Sequence, residues 1–216
     1  MLAEKLVELG CRIVQANTDV LFVIVKKDKY ESFKNICSDW EKLTHLTLEE
    51  DRFKAMYQYA INDYFAITEN NKVKEKGMFI TEVKLGKGLT PKIIPKAVIA
   101  YFKDNIPVED TIKNCTDIKD FLMSEKTGKQ WHVEYLNKEQ QRINRFYAST
   151  NGGYLWKWKK DSNSKFYQNM LSASGVTLLN ELDDVPINKR DINYSYYIRE
   201  AYKIVRELKP LQLSLL

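Results

Sequence analysis

The sequence predicts an α+β fold in which strands and helices are grouped rather than alternating, and three observations carry that expectation. Two β-rich runs, Cys11-Arg12-Ile13-Val14-Gln15-Ala16 and Val20-Leu21-Phe22-Val23-Ile24-Val25, flank the polar stretch Asn17-Thr18-Asp19, which is the signature of a hairpin. Apolar residues then recur at helical spacing over residues 29–43 and again over 193–208. The texture changes after Lys87-Gly88, where prolines begin to punctuate helical stretches, so a domain boundary is expected near residue 88.

In chain order, Leu2, Leu6 and Leu9 share a helical face that Gly10 ends. The hairpin follows, with Asp19 at its tip. Tyr30, Phe33, Ile36, Cys37, Trp40 and Leu43 form one face of an amphipathic helix expected to cover the hairpin's sheet. Residues 52–79 read as further strands, broken by a turn at Glu69-Asn70-Asn71. Pro91 and Pro95 precede a helix running through Ala100 and Phe102, Pro107 starts another, and residues 112–122 suggest a third. Residues 141–147 and 154–158 flank Thr150-Asn151-Gly152-Gly153, a hairpin signal. Tyr194, Tyr197, Ile198, Ala201, Ile204, Val205 and Leu208 mark a last amphipathic helix, after which Pro210 stops the pattern. No internal repeat or low-complexity segment interrupts this order.

Composition narrows the function classes. The chain has 216 residues, 44% of them hydrophobic, with 5 prolines and 8 glycines, which argues against intrinsic disorder. No apolar run approaches the roughly 20 residues needed to cross a bilayer. The N-terminus intersperses acids and bases and does not read as a secretory signal, so a cytoplasmic location is expected. Three cysteines at wide spacing, Cys11, Cys37 and Cys115, suggest neither a disulfide framework nor a zinc cluster. His45 and His132 stand far apart, without a second ligand at metal spacing. Lys84-Leu85-Gly86-Lys87-Gly88 lacks the spacing of a phosphate-binding loop, and no nucleophile stands in a recognisable elbow.

Net charge is +5, but it is unevenly spread: residues 71–170 hold 19 bases and 11 acids, whereas the remainder holds 15 bases and 18 acids. A basic middle interleaved with aromatics, as in Tyr154-Leu155-Trp156-Lys157-Trp158-Lys159-Lys160, suits a polyanion, because ammonium groups pair with phosphates while rings stack on bases. The plainer reading of the same segment is a strand with period 2, its aromatic face in the core and its lysine face solvated.

Asp19 is where the sequence becomes specific. A carboxylate at the tip of a hairpin between apolar strands is a rigid mount for a hard cation such as Mg²⁺, but one carboxylate is not a metal site and by itself reads as a turn residue. The run Gln15-Ala16-Asn17-Thr18-Asp19-Val20 resembles palm motif C of the family B DNA polymerases, usually Tyr-Gly-Asp-Thr-Asp-Ser, in a form similar to the Ala-Asn-Thr-Asp-Gly version of bacteriophage enzymes. Downstream, Trp40-Glu41-Lys42-Leu43-Thr44, Asn62-Asp63-Tyr64 and Lys74-Glu75-Lys76-Gly77 resemble the elements that follow motif C in those enzymes. Ile93-Ile94-Pro95-Lys96-Ala97-Val98 and Asn105-Ile106-Pro107-Val108-Glu109 resemble the start of their thumb, and Asp191-Ile192-Asn193-Tyr194 their last helix. The resemblance covers nearly the whole chain.

It implies a partial palm over 1–88, an antiparallel sheet with a packed helix, followed by a mostly helical, DNA-gripping thumb over 89–216. It implies that Asp19 is the metal-binding and catalytic aspartate of a two-Mg²⁺ site. Tyr64, Lys74, Lys76 and Gly77 would lie along the primer, and Lys96, Arg142, Arg145, Lys157 and Lys159 would hold phosphates. Departures accompany it: Asn17 stands at the first aspartate of the motif, Val20 at its serine, and Asn62 at the lysine that precedes Tyr64 by two positions. The motif A aspartate, the motif B lysine that binds the deoxynucleoside triphosphate, and the exonuclease motif all precede motif C in the family and are absent here. The resemblance therefore implies the C-terminal part of a replicative DNA polymerase, truncated or separately encoded. Its partners would be primer-template DNA and an upstream fragment carrying motifs A and B. The alternative is a non-catalytic DNA-binding module or decayed remnant.

Overall fold

The computed structural model describes residues 1–17, 20–82, 88–160, 165–171 and 175–208. Its chain is mixed α and β, with five α-helices and twelve strands among the described residues. Among the described residues two compact units emerge from the contacts: Met1–Met56 with Ala66–Val73, and Tyr57–Phe65 with Lys74–Leu208.

The first unit opens with helix α1 (Leu2–Glu8), which buries Leu6. Gly10, at φ +87°, turns the chain out of the helix, and the Cys11 N–H donates to the Leu6 carbonyl at 2.9 Å. Lys29 Nζ donates to the carbonyl of Leu9 at 2.6 Å, a cation at a helix C-terminus where the dipole favours it. Strands β1 (Arg12–Ala16) and β2 (Leu21–Ile24) form the expected antiparallel hairpin. The register slips by one residue between Ile13 and Gln15, a β-bulge that increases the local twist just before the turn.

Helix α2 (Tyr30–Thr44) forms where its apolar spacing predicts and ends at His45 in the left-handed region, φ 59°. Its apolar face is only half-buried, and Leu43 is exposed. α1, the opening helix that Leu2, Leu6 and Leu9 mark, packs against both β1 and α2. Tyr30, Glu50 and Arg52 form an ion-pair and hydrogen-bond cluster at the start of α2.

Strands β3 (Phe53–Ala60), β4 (Asp63–Thr68) and β5 (Val73–Lys76) make a three-stranded sheet in that order. The turn expected at Glu69-Asn70-Asn71 joins β4 to β5, with Asn71 at φ 60°.

In the second unit α3 (Ile93–Asp104), α4 (Val108–Lys113) and α5 (Tyr194–Leu208) pack on one another. α5 buries Tyr197, Ala201, Ile204, Val205 and Leu208, the stripe its spacing predicts. Pro107 precedes α4 as expected, but residues 112–122 do not form a third helix: α4 ends at Lys113, and Ile118–Phe121 is a single 3-10 turn.

The expectation of a mostly helical part after residue 88 is corrected. Seven strands lie there: β6 (Met123–Lys126), β7 (His132–Tyr135), β8 (Lys138–Gln140), β9 (Ile143–Ser149), β10 (Leu155–Lys160), β11 (Lys165–Asn169) and β12 (Gly175–Leu178). They form two sheets, ordered β12-β9-β6 and β11-β10-β7-β8. The hairpin expected between residues 141–147 and 154–158 is not formed either, because β9 and β10 belong to different sheets. The physical reason is the glycine pair. Val176 N–H donates to the Gly153 carbonyl at 2.7 Å, and a Cβ on Gly152 would collide with the Val176 carbonyl. Gly152-Gly153 thus serves close backbone approach to β12 during a crossover, not a tight turn.

The face of β10 is also reversed from the plain reading. Leu155 is buried and Lys157 is half-buried, whereas Tyr154 is exposed on the opposite side and Trp156 and Trp158 are half-buried there. Lys157 turns inward because its ammonium pairs with Glu125 on β6 at 3.0 Å and lies 5.7 Å from the Trp131 ring centre.

Candidate functional site

The hairpin brings the motif's flanks together. Ala16 opposes Leu21, and the Asn17 N–H donates to the Val20 carbonyl at 2.8 Å. Gln15 is buried and its Nε2 donates to Asn17 Oδ1 at 3.3 Å, orienting the amide that stands at the motif's first acidic position. Asp19 itself, with Thr18, lies outside the described residues. Among the described residues, no group of three or more His, Cys, Asp or Glu side chains is placed to hold a metal ion. The motif within this chain supplies one carboxylate and one amide oxygen, too few for the two hard cations that phosphoryl transfer uses. The residues present therefore do not by themselves fit a two-Mg²⁺ site.

A second cluster joins β4 to the end of β5. Tyr64 is buried, and Lys76 Nζ lies 5.8 Å from its ring centre, within cation–π range. Gly77 follows at φ +63°, a conformation in which a side chain is strained. The Met78 N–H donates to Asp63 Oδ1 at 2.8 Å, and a Cβ added at Gly77 would clash with that oxygen and with the carbonyl of Asn62. Glu75 accepts from the Thr81 N–H at 2.7 Å and from its hydroxyl at 2.9 Å, bracing the chain past the turn. Tyr64, Lys76 and Gly77, singled out from the sequence separately, thus meet. Lys74 is exposed on β5.

The five basic residues expected to grip phosphate are not equivalent. Lys96 Nζ is 2.6 Å from Asp120 Oδ2, whose carboxylate is almost wholly buried. Lys157 is held by Glu125 as described, both side chains being largely buried. Arg142 is exposed and spends one donor on the Thr127 carbonyl at 3.2 Å, Arg145 is half-buried on β9, and Lys159 is exposed with its ammonium 5.8 Å from the Trp131 ring centre. Two of the five are therefore compensated within the fold.

Sequence reasoning missed the outer face of the β11-β10-β7-β8 sheet. Pairing sets Trp158 opposite His132 and Tyr167, and Trp156 opposite Glu134 and Asn169, so these side chains share one surface. His132 stacks on Trp158 with centroids 4.4 Å apart and planes 16° apart, while its Nδ1 meets Glu139 Oε1 at 2.8 Å. The signal was present in the alternation of Tyr154, Trp156 and Trp158, but alternation alone does not say which face points inward.

No protein-family model matches the chain, and no curated protein sequence matches it. Among the described residues no helix is long and apolar enough to cross a membrane.

Proposed function

We propose that this chain is a palm and thumb portion of a phage-type family B DNA polymerase. In the complete enzyme Asp19 would contribute one carboxylate to a Mg²⁺ site finished by a motif A aspartate from an upstream fragment. That fragment would also bind the deoxynucleoside triphosphate. The observation that carries this reading is the sequence Gln15-Ala16-Asn17-Thr18-Asp19-Val20 at the convergent end of an antiparallel pair whose last described bond joins Asn17 to Val20. The meeting of Tyr64 and Lys76 supports it, since an ammonium beside a tyrosine ring suits a contact with a phosphate backbone. Arg142, Arg145 and Lys159 would give a sequence-independent grip on duplex DNA, with Lys74 adjoining the primer.

The test has two arms. With the upstream fragment supplied, primer extension should occur and Asp19→Asn should abolish it while duplex affinity stays unchanged, because the carboxylate serves the metal and the grip lies elsewhere. The chain alone should not extend a primer. It should bind duplex without sequence preference, and if the three uncompensated bases neutralise about 3 phosphates, log K should fall with log salt at a slope of about −2.7. Undiminished extension by the Asp19→Asn enzyme would refute the metal role. Duplex binding with no extension under any reconstitution would favour the non-catalytic DNA-binding module. Absence of salt-dependent binding would refute both.

A further inference from the structure

The outer face of the β11-β10-β7-β8 sheet carries a groove that the polymerase reading does not use and on which that reading does not depend. Its volume is about 530 Å³, and Glu134, Leu136, Asn137, Tyr154, Trp156 and Tyr167 are among its walls. The rings are not coplanar. Trp156 and Tyr167 meet at 89° with centroids 6.4 Å apart, and Tyr154 and Trp156 at 47° and 6.1 Å. Glu134 supplies the one charged side chain of the lining; it is half-buried and makes no hydrogen bond or ion pair among the described residues. Its neighbour across the sheet, Glu139, is by contrast already engaged by His132.

Aromatic grooves take three kinds of ligand, and the lining discriminates among them. A nucleic-acid base brings a phosphate with it, and among the described residues no lysine or arginine lines this groove to meet that charge, while Glu134 would repel it. A sugar lays a flat face on one open ring and needs a ring of directional donors and acceptors; here the rings stand at a steep angle to each other, with one amide and one carboxylate between them. A weakly hydrated organic cation gains on both counts. Its charge is attracted to the π face of an aromatic ring, and a carboxylate that has no partner among the described residues beside those rings serves as its counter-ion.

We propose that this groove binds an organic cation of the quaternary ammonium or guanidinium class, seated against the aromatic lining of Tyr154, Trp156 and Tyr167 with Glu134 as counter-ion. Glu134 is then the specificity-determining residue, since its carboxylate adds to the rings' modest preference for charge an ion pair that only a cation can make.

The experiment follows the indole N–H resonances of the isotopically labelled full chain during titration at constant ionic strength. The probes are choline, the neutral tert-butyl analogue of choline, acetyl-arginine amide, cellobiose and oligothymidylate. The chain has 4 tryptophans, and Trp156→Phe assigns the resonance that should report. Choline, acetyl-arginine amide or both should shift the Trp156 resonance saturably while that of Trp40 stays still, and the tighter of the two identifies the headgroup. The neutral analogue should leave it unmoved. Glu134→Gln, whose dispersed spectrum verifies its fold, should weaken cation binding by about 3- to 30-fold. The proposal is overturned by an equal response to the neutral analogue, by a response to cellobiose or oligothymidylate alone, by no response to any probe, or by unchanged affinity in Glu134→Gln.

Discussion

Gly77→Ala is the perturbation most informative about the cluster that joins Tyr64 to Lys76. The residue sits at φ +63°, and an alanine held there costs about 1–2 kcal/mol in backbone strain. The added methyl would also strike Asp63 Oδ1 and the Asn62 carbonyl. The side chain of Asp63 can rotate away only by abandoning the Met78 N–H, a charge-assisted bond of 2.8 Å worth about 1.5–3 kcal/mol. Together these give a loss of about 2.5–5 kcal/mol. Gly88 provides an internal reference: it too has positive φ, +93°, but an added Cβ there meets nothing within 4 Å, so Gly88→Ala carries the strain alone. Urea denaturation of the full chain, followed by tryptophan fluorescence, should therefore show Gly77→Ala costing about 2–3 kcal/mol more than Gly88→Ala. Removing the carboxylate as well, in Gly77→Ala with Asp63→Ala, should not restore stability, because the Asn62 backbone carbonyl still obstructs the methyl. Equal losses at the two glycines would refute the reasoning. So would rescue by Asp63→Ala, which would show that the side chain alone enforces glycine.

Two further perturbations probe the second unit. Tyr197 is fully buried; its hydroxyl donates to the Phe121 carbonyl at 2.9 Å and accepts from the Ala148 N–H at 2.8 Å. Tyr197→Phe keeps the ring and strands both backbone groups, so it should cost about 2–4 kcal/mol and accelerate hydrogen exchange at the Ala148 amide; a loss below about 0.5 kcal/mol would show that water replaces the hydroxyl. Burial, with Asp120 adding to it, pushes the Cys115 thiol up to about 11. A group with a raised pKa stabilises fully below its unfolded value, 9.0 here, and that contribution is lost as pH climbs toward 11. Alkaline destabilisation between these limits should accordingly shrink in Cys115→Ala. At pH 9 alkylation of Cys115 in the native chain should run about 50-fold slower than in urea, in proportion to the thiolate present. Equal alkylation rates would contradict the burial of this thiol.

What was legible in the sequence was local. The hairpin around Asn17 was readable because polar turn residues between two β-branched runs leave few alternatives, and α5 was readable because its apolar stripe persists for four turns. The small strands were not. Met123–Lys126 and Lys138–Gln140 are short and charged, and only their pairing with β9 and β7 makes them strands. The Gly152-Gly153 pair misled for a related reason: a tight turn and a close pass beside another strand both need a missing Cβ, and the Val176 backbone that distinguishes them arrives from elsewhere in the chain.

The candidate site divides along the same line. Asp19, Tyr64, Lys76 and Gly77 stood out because a motif orders them by sequence spacing. The groove at Trp156 did not, because period 2 assigns Tyr154, Trp156 and Trp158 to one face and Leu155, Lys157 and Lys159 to the other without saying which face is inside. What decides is a partner remote in sequence. Glu125 draws the Lys157 ammonium inward and Trp131 receives its charge, so Lys157 is half-buried like Trp156 and Trp158 on the other face. That choice bears on electrostatics as much as on packing. A net of +8 over residues 71–170 counts formal charges, but Lys96 with Asp120 and Lys157 with Glu125 are pairs whose fields cancel a few ångströms away. These pairs take away two of the five cations expected to grip phosphate, while Glu134 adds an uncompensated negative charge on the aromatic face. Were a polyanion held by Arg142, Arg145 and Lys159 as proposed, Glu134 would disfavour its contact with the ring surface, which would leave that face to the cationic ligand proposed above.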